Sequence, residues 1–158
     1  MKNNKRGINW KVLIVCLLIV YASAFVGSIF TTNVVNSSWY ETIKPSITPP
    51  NYIFPIAWGI LFTLIGISLY FAWVSANKKE KKLVAIVFAV NLALNILWSI
   101  FYFGNKMISI ALVDLILMWL TIVWMILVTW KIDKKSAYCL VPYLLWVSFA
   151  GRLNYLSI

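Results

Sequence analysis

Five long apolar stretches, divided by short polar clusters, organise this chain: residues 12–30, 52–76, 83–103, 107–130 and 137–157. A helix needs about 20 apolar residues to cross a hydrocarbon core of about 30 Å, and each stretch reaches that length. Lipid offers the backbone no hydrogen-bond partners, so spanning segments are helices or strands of a closed barrel. Barrel strands alternate apolar and polar residues over about 10 positions, and no such alternation occurs. The pattern predicts an all-α integral membrane protein, a five-transmembrane-helix bundle forming one domain over residues 1–158. The connection 31–51 is the long one, too polar and proline-rich for lipid.

Composition sharpens this picture. Hydrophobic residues make up 63% of the chain and charged residues 11%, against about 25% charged in soluble domains. The net charge of +10 comes from basic runs between apolar stretches, so topology accounts for it and nucleic-acid binding is not expected. Lys2, Lys5, Arg6 and Lys11, Lys78, Lys79, Lys81 and Lys82, and Lys131, Lys134 and Lys135 fall on one side. Lys44, Lys106 and Arg152 fall on the other. The positive-inside rule then places the N-terminus in the cytoplasm, with the 31–51 loop and the C-terminus outside the cell membrane. Residues 12–30 exceed the usual 7–15 residues of a signal-peptide core and read as a retained first helix. Cys16 and Cys139 lie in apolar stretches and read as small buried hydrophobes. Histidine is absent, which removes the commonest metal ligand and general base, and no metal site is expected.

Polar residues inside the spans are the candidates for chemistry. At about 100° per residue, Asn91, Asn95, Trp98 and Tyr102 fall within an arc of about 60°, while Ala85, Ala89 and Ala93 fall opposite. Amides in hydrocarbon face a bundle interior or a cavity, so the asparagines either glue helices together or contact a ligand. The alanine face permits close helix approach, either as a homodimer seam or within the bundle. Asp114 is the acid within a span, and Arg152 lies at similar depth; the two are expected to pair or to share a polar pocket. Trp10, Trp73 and Trp130 suit an interfacial belt; Trp58, Trp98, Trp119, Trp124 and Trp146 lie deeper. Pro55 suits a first helical turn, and Pro142 predicts a tilt or kink. The run Lys44-Pro45-Ser46-Ile47-Thr48-Pro49-Pro50 is either a stiff lid over the outer mouth or a spacer. Phosphate loops and nucleophilic catalytic sets are missing.

Trp39-Tyr40, Lys44-Pro45, Pro49-Pro50 and Trp58 resemble the TspO/MBR family, the tryptophan-rich sensory proteins related to the mitochondrial translocator protein. The likeness continues through Asn91-x-x-x-Asn95-x-x-Trp98-Ser99, Phe103-Gly104, Val113-Asp114-Leu115, Pro142 to Ala150 and Leu153-Asn154-Tyr155. The resemblance implies a five-helix bundle, usually a homodimer, with a pocket closed by the first loop. It also implies binding of porphyrins such as protoporphyrin IX, with no obligatory cofactor. Carried over by position, the ligand-binding residues are Trp58, Asn91, Asn95, Trp98, Trp146 and Ala150. The lid residues are Trp39, Pro45, Pro49 and Pro50.

Three departures stand out. Ile47 replaces a tryptophan common in the family, and the loop is a residue shorter between Trp39 and Lys44. Gly151 and Arg152 follow Ala150, where a cation either meets porphyrin carboxylates or snorkels to headgroups. No basic residue follows Tyr155, so the family's sterol pattern is missing. Three readings follow: a membrane binding protein for tetrapyrroles acting as sensor, buffer or carrier; an enzyme of light- or oxygen-dependent porphyrin breakdown using Trp58 or Trp146; and a structural or regulatory membrane partner.

Overall fold

The structure, a computed structural model, describes residues 7–158; the expected positions of Lys2, Lys5 and Arg6 lie outside the described residues. The described residues fold as helices and connections without a strand. In order they are α1 (Trp10–Thr31), α2 (Ser38–Ile43), α3 (Ile53–Ser75), α4 (Lys78–Ser99), a π-helical turn (Ile100–Gly104), α5 (Ile108–Ile132) and α6 (Lys134–Leu156). Among them, α1, α3, α4 with its π turn, and α5 are long and apolar enough to cross a membrane. The expected fifth span, α6, has the length but not the apolarity, because Lys134, Lys135, Arg152 and Asn154 dilute it. It continues through Pro142 without a break.

α4 and α6 start three or more residues earlier than hydrophobicity alone indicates, and both starts are capped. Asn77 accepts from the Lys79 and Glu80 amides while Glu80 accepts from the Asn77 amide. This capping box draws the lysine run into α4 and shrinks the expected 77–82 loop. Asp133 ends α5 and caps α6 through the Lys135 amide at 2.8 Å. Lysine is itself a good helix former.

The long helices form a ring in the order α1, α3, α6, α5, α4 and back to α1. Contacts show α3 antiparallel to both α1 and α6. Asn9 reaches Tyr70 and Tyr21 reaches Gly59 between α1 and α3. Ser68 and Ser136 exchange hydroxyl-to-carbonyl bonds of 2.9 and 2.7 Å between α3 and α6. Such polar clasps hold apolar helices together where lipid supplies no hydrophobic drive. At Gly66 an added Cβ would stand 2.6 Å from Leu17 Cδ2 and 3.3 Å from its Cα, so α1 and α3 pack closely there.

The core runs along the ring's interior through Val20, Ile65, Phe88, Met118, Ile122 and Tyr143. Large apolar side chains such as Leu18, Phe25, Ile60, Leu127 and Leu145 point outward, as a lipid-facing surface requires. Lys81 sits 5.5 Å above Trp73, and Lys134 5.5 Å above Trp130. These cation–π pairs gather at the basic end, in keeping with an interfacial belt. At the opposite end, a smaller cluster of Tyr40, Tyr102, Phe103 and Ala111 joins α2 to the π turn.

Candidate ligand cavity beneath the first loop

Between the ring and the 31–51 connection lies a cavity of about 530 Å³, within the range of small-molecule sites. Its walls come from the ends of α1, α3, α4 and α6, the π turn and the connection itself. None of the described residues lining it is charged. Gly27 brings α1 against α4, where an added Cβ would meet Ser99 Oγ at 3.2 Å.

Four of the six expected ligand-binding residues line this cavity: Trp58, Asn95, Trp98 and Ala150. Trp58 stacks on Phe62 at 5.3 Å and meets the Tyr143 ring edge-on at 6.2 Å. Trp98 stacks on Tyr102 at 5.2 Å, and its indole N–H donates to Asn154 Oδ1 at 3.0 Å. Asn154 in turn donates to the Ile108 carbonyl, which fixes both rings in place. The other two residues stand back from the cavity. Asn91 is fully buried, donates to the Met118 carbonyl and Thr121, and accepts from Tyr143. It therefore holds helices together. Trp146 packs at 6.0 Å against Phe54, which itself lines the cavity, so it lies one layer behind the wall.

The expected lid divides in the same way. Pro45 lines the cavity together with Thr48 and Asn51, whereas Trp39, Pro49 and Pro50 do not. Asn51 donates to the Val35 carbonyl at 3.0 Å, tying the two ends of the connection. Trp39 lies edge-on to Tyr102 at 6.4 Å, with the Lys106 ammonium 5.1 Å from its ring. Ile47 is exposed and does not line the cavity.

The expected Asp114–Arg152 pair does not form. Asp114 is buried with its Oδ2 unpartnered, while Arg152 is exposed. The salt bridge among the described residues is Lys44–Glu41. Asp114 lies on the buried side of α5 and Arg152 on the exposed side of α6, and Arg152 does not line the cavity.

Two elements escaped the sequence reading. The short helix α2 is capped by Ser37, whose hydroxyl accepts from the Tyr40 amide at 3.3 Å. The π turn closes with Asn105 N–H donating to the Ile100 carbonyl at 2.7 Å and turns Tyr102 and Phe103 into the wall. Such turns recur at functional sites. The Ser-Ser-Trp start of α2 was a legible cap signal; nothing in the apolar run Ile100-Phe101-Tyr102-Phe103 marks a π turn.

The model of the TspO/MBR family matches residues 14–157. This chain belongs to the TspO/MBR family. It is 40% identical over 146 residues to the tryptophan-rich protein TspO of Chlorobaculum tepidum, covering 90% of this chain and 91% of the relative. The corresponding protein of Archaeoglobus fulgidus is 39% identical over 144 residues, covering 90% and 92%. The human translocator protein is 33% identical over 139 residues, covering 83% and 79%. Family membership and the several long apolar helices make the chain a membrane protein.

Proposed function

We propose that this TspO/MBR member binds porphyrins and similar flat hydrophobic ligands in the cavity beneath the first loop, as sensor, buffer or carrier. The observation that carries the reading is a cavity walled by Trp58, Trp98, Phe62 and Tyr102, with no charged residue among the described residues that line it. Aromatic faces stack on a macrocycle, and a few polar groups orient it. Trp58, Asn95, Trp98 and Ala150 are the contacts in this reading, with Pro45 in the covering loop. Asn91 and Trp146 support them from behind.

The same proposal includes five spans. α6 runs the height of the ring, from Ser136 beside Ser68 to Ser157, which accepts from Tyr102. Its 23 residues extend about 35 Å at 1.5 Å each. The N-terminus is then cytoplasmic and the loop outside. Ala85, Ala89 and Ala93 are exposed on α4, available as a homodimer seam within the lipid.

Titration of the detergent-purified protein with protoporphyrin IX, followed by tryptophan quenching, tests the binding reading. The wild type should quench saturably in the micromolar range. Ala150→Phe, which fills the cavity, should abolish saturation, while Trp124→Phe on the lipid face should not. Equal quenching of wild type and Ala150→Phe means partition into the micelle and overturns the reading.

A further inference from the structure

The hydrogen bonds beneath the cavity floor have a direction, and that direction begins at a backbone carbonyl. The Met118 carbonyl can only accept. Thr121 donates its hydroxyl hydrogen to that carbonyl at 2.7 Å, so toward Asn91 its oxygen is an acceptor as well. Asn91 must therefore turn its amide nitrogen toward both, at 3.3 and 2.8 Å. Its Oδ1 then faces Tyr143, which donates its single hydroxyl hydrogen at 3.1 Å. With that hydrogen committed, the Tyr143 oxygen accepts from Asn95 Nδ2 at 3.4 Å, and the Met118 sulfur accepts from the same nitrogen at 3.5 Å. Each amide orientation is forced by the one before it.

What is left over is Asn95 Oδ1. The sealed side-chain atoms without a partner among the described residues are Thr48 Oγ1, Asn51 Oδ1, Asp114 Oδ2 and Trp146 Nε1. Asn95 Oδ1 is not one of these, although both side-chain hydrogen bonds of Asn95 use the nitrogen, and Asn95 lines the cavity. A fixed acceptor thus faces a site with no charged residue among the described residues that line it.

We propose that the cavity selects flat aromatic ligands carrying an N–H or O–H donor on their buried side, which Asn95 Oδ1 receives. Asn91 and Tyr143 act as positioning residues that hold the Asn95 amide in the accepting orientation. This rests on the cavity being the binding site and adds the polarity of its floor. A ligand with an acceptor at that position meets lone pair against lone pair. The Asn95 amide cannot flip to greet it without breaking its bond to Tyr143.

Carbazole and dibenzofuran have nearly the same shape and differ by N–H against oxygen, so they isolate this term. Their affinities are measured by equilibrium dialysis against the protein in lipid nanodiscs, with uptake by empty discs subtracted. Wild type should prefer carbazole by about three- to tenfold, the range of a single neutral hydrogen bond. Asn95→Leu should remove the preference, weakening carbazole and relieving the lone-pair contact with dibenzofuran. Tyr143→Phe should also collapse it, since the amide is then free to turn, while dibenzofuran binding holds; a purely structural role would weaken both ligands equally. Should Tyr143→Phe not fold, Asn95→Leu carries the test. Equal affinities in wild type, or a preference that survives Asn95→Leu, overturn the polarity proposal and leave the cavity as a binding site. If neither compound saturates the protein, the cavity reading falls with it.

Discussion

Tyr40 ties the covering loop to the ring: it is buried in α2 and packs at 5.8 Å on Phe103 of the π turn. Burial first, then the neighbouring Tyr102 and Glu41, push its phenol from 10.0 up to about 12. A pKa higher in the folded state means the native structure resists ionisation of this group. Its stabilisation is complete below about pH 10 and is lost as pH rises from about 10 to 12. The loop should therefore loosen in that window, read as a change in Trp39 emission, and Tyr40→Phe should lack this step. Identical alkaline profiles for the two proteins would contradict the assignment. The Asp114 and Arg152 side chains give a second expectation at this scale. With no ion pair between them, Arg152→Gln should change stability by no more than about 0.5 kcal/mol, as at ordinary surface sites. Asp114→Asn, which removes an ionisable group lacking a cation partner, should not lower the melting temperature. A loss in both variants, restored by exchanging the two charges, would show a pair after all. Sequence placed these two residues at the same depth but not on the same side, because depth follows from counting residues and facing follows from how the helices roll against each other.

At the scale of the element, legibility tracked periodicity and chemistry unevenly. Apolar runs located α1, α3 and α5 to within a few residues, since hydrocarbon demands length and apolarity. The start of α4 was missed by five residues, although Asn77 and Glu80 spell a capping box three apart; the lysines between them suggested a loop on charge alone. The asparagine face of α4 was correctly placed on the interior, but one turn separates Asn91 in the packed core from Asn95 at the cavity. No helical wheel resolves that step along the axis. The close approach of α1 and α3 at Gly66 offers a direct test of packing. Gly66→Ala should cost about 1–3 kcal/mol, as overpacking does, because the Leu17 backbone as well as its side chain is in the way. Gly59→Ala, with open space around the new methyl, should be neutral or slightly stabilising through helix propensity. Thermal unfolding of both variants in the same detergent compares them; equal losses would mean that contact with α1 does not govern Gly66.

On the scale of the whole molecule, the ring sorts its chemistry by end. Lys78, Lys79, Lys82, Lys131, Lys134 and Lys135 belong to the end where α3 meets α4 and α5 meets α6. The cavity, the covering loop and the close of α6 occupy the other. The same sorting makes α6 decisive for topology. If it crosses the bilayer, Ile158 lies on the loop side with Ser46; if it rests in the interface, Ile158 stays with the lysines. The packing favours crossing: Tyr102 donates to Ser157 at 3.0 Å and Trp98 to Asn154 at 3.0 Å, both beside the cavity. Burying the polar edge of α6 against α5 also leaves residues such as Val141 and Leu145 facing outward, which suits lipid better than water. In a background with Cys16→Ala and Cys139→Ala, the single substitutions Ser46→Cys, Ile158→Cys and Lys79→Cys report the three positions. In intact cells a membrane-impermeant maleimide should label the first two, and Lys79→Cys only after the membrane is opened. Labelling of Ile158→Cys together with Lys79→Cys would leave α6 on the cytoplasmic side. The cavity would then open at an end that its α6 wall does not reach, so the ligand reading and the topology stand or fall on the same helix.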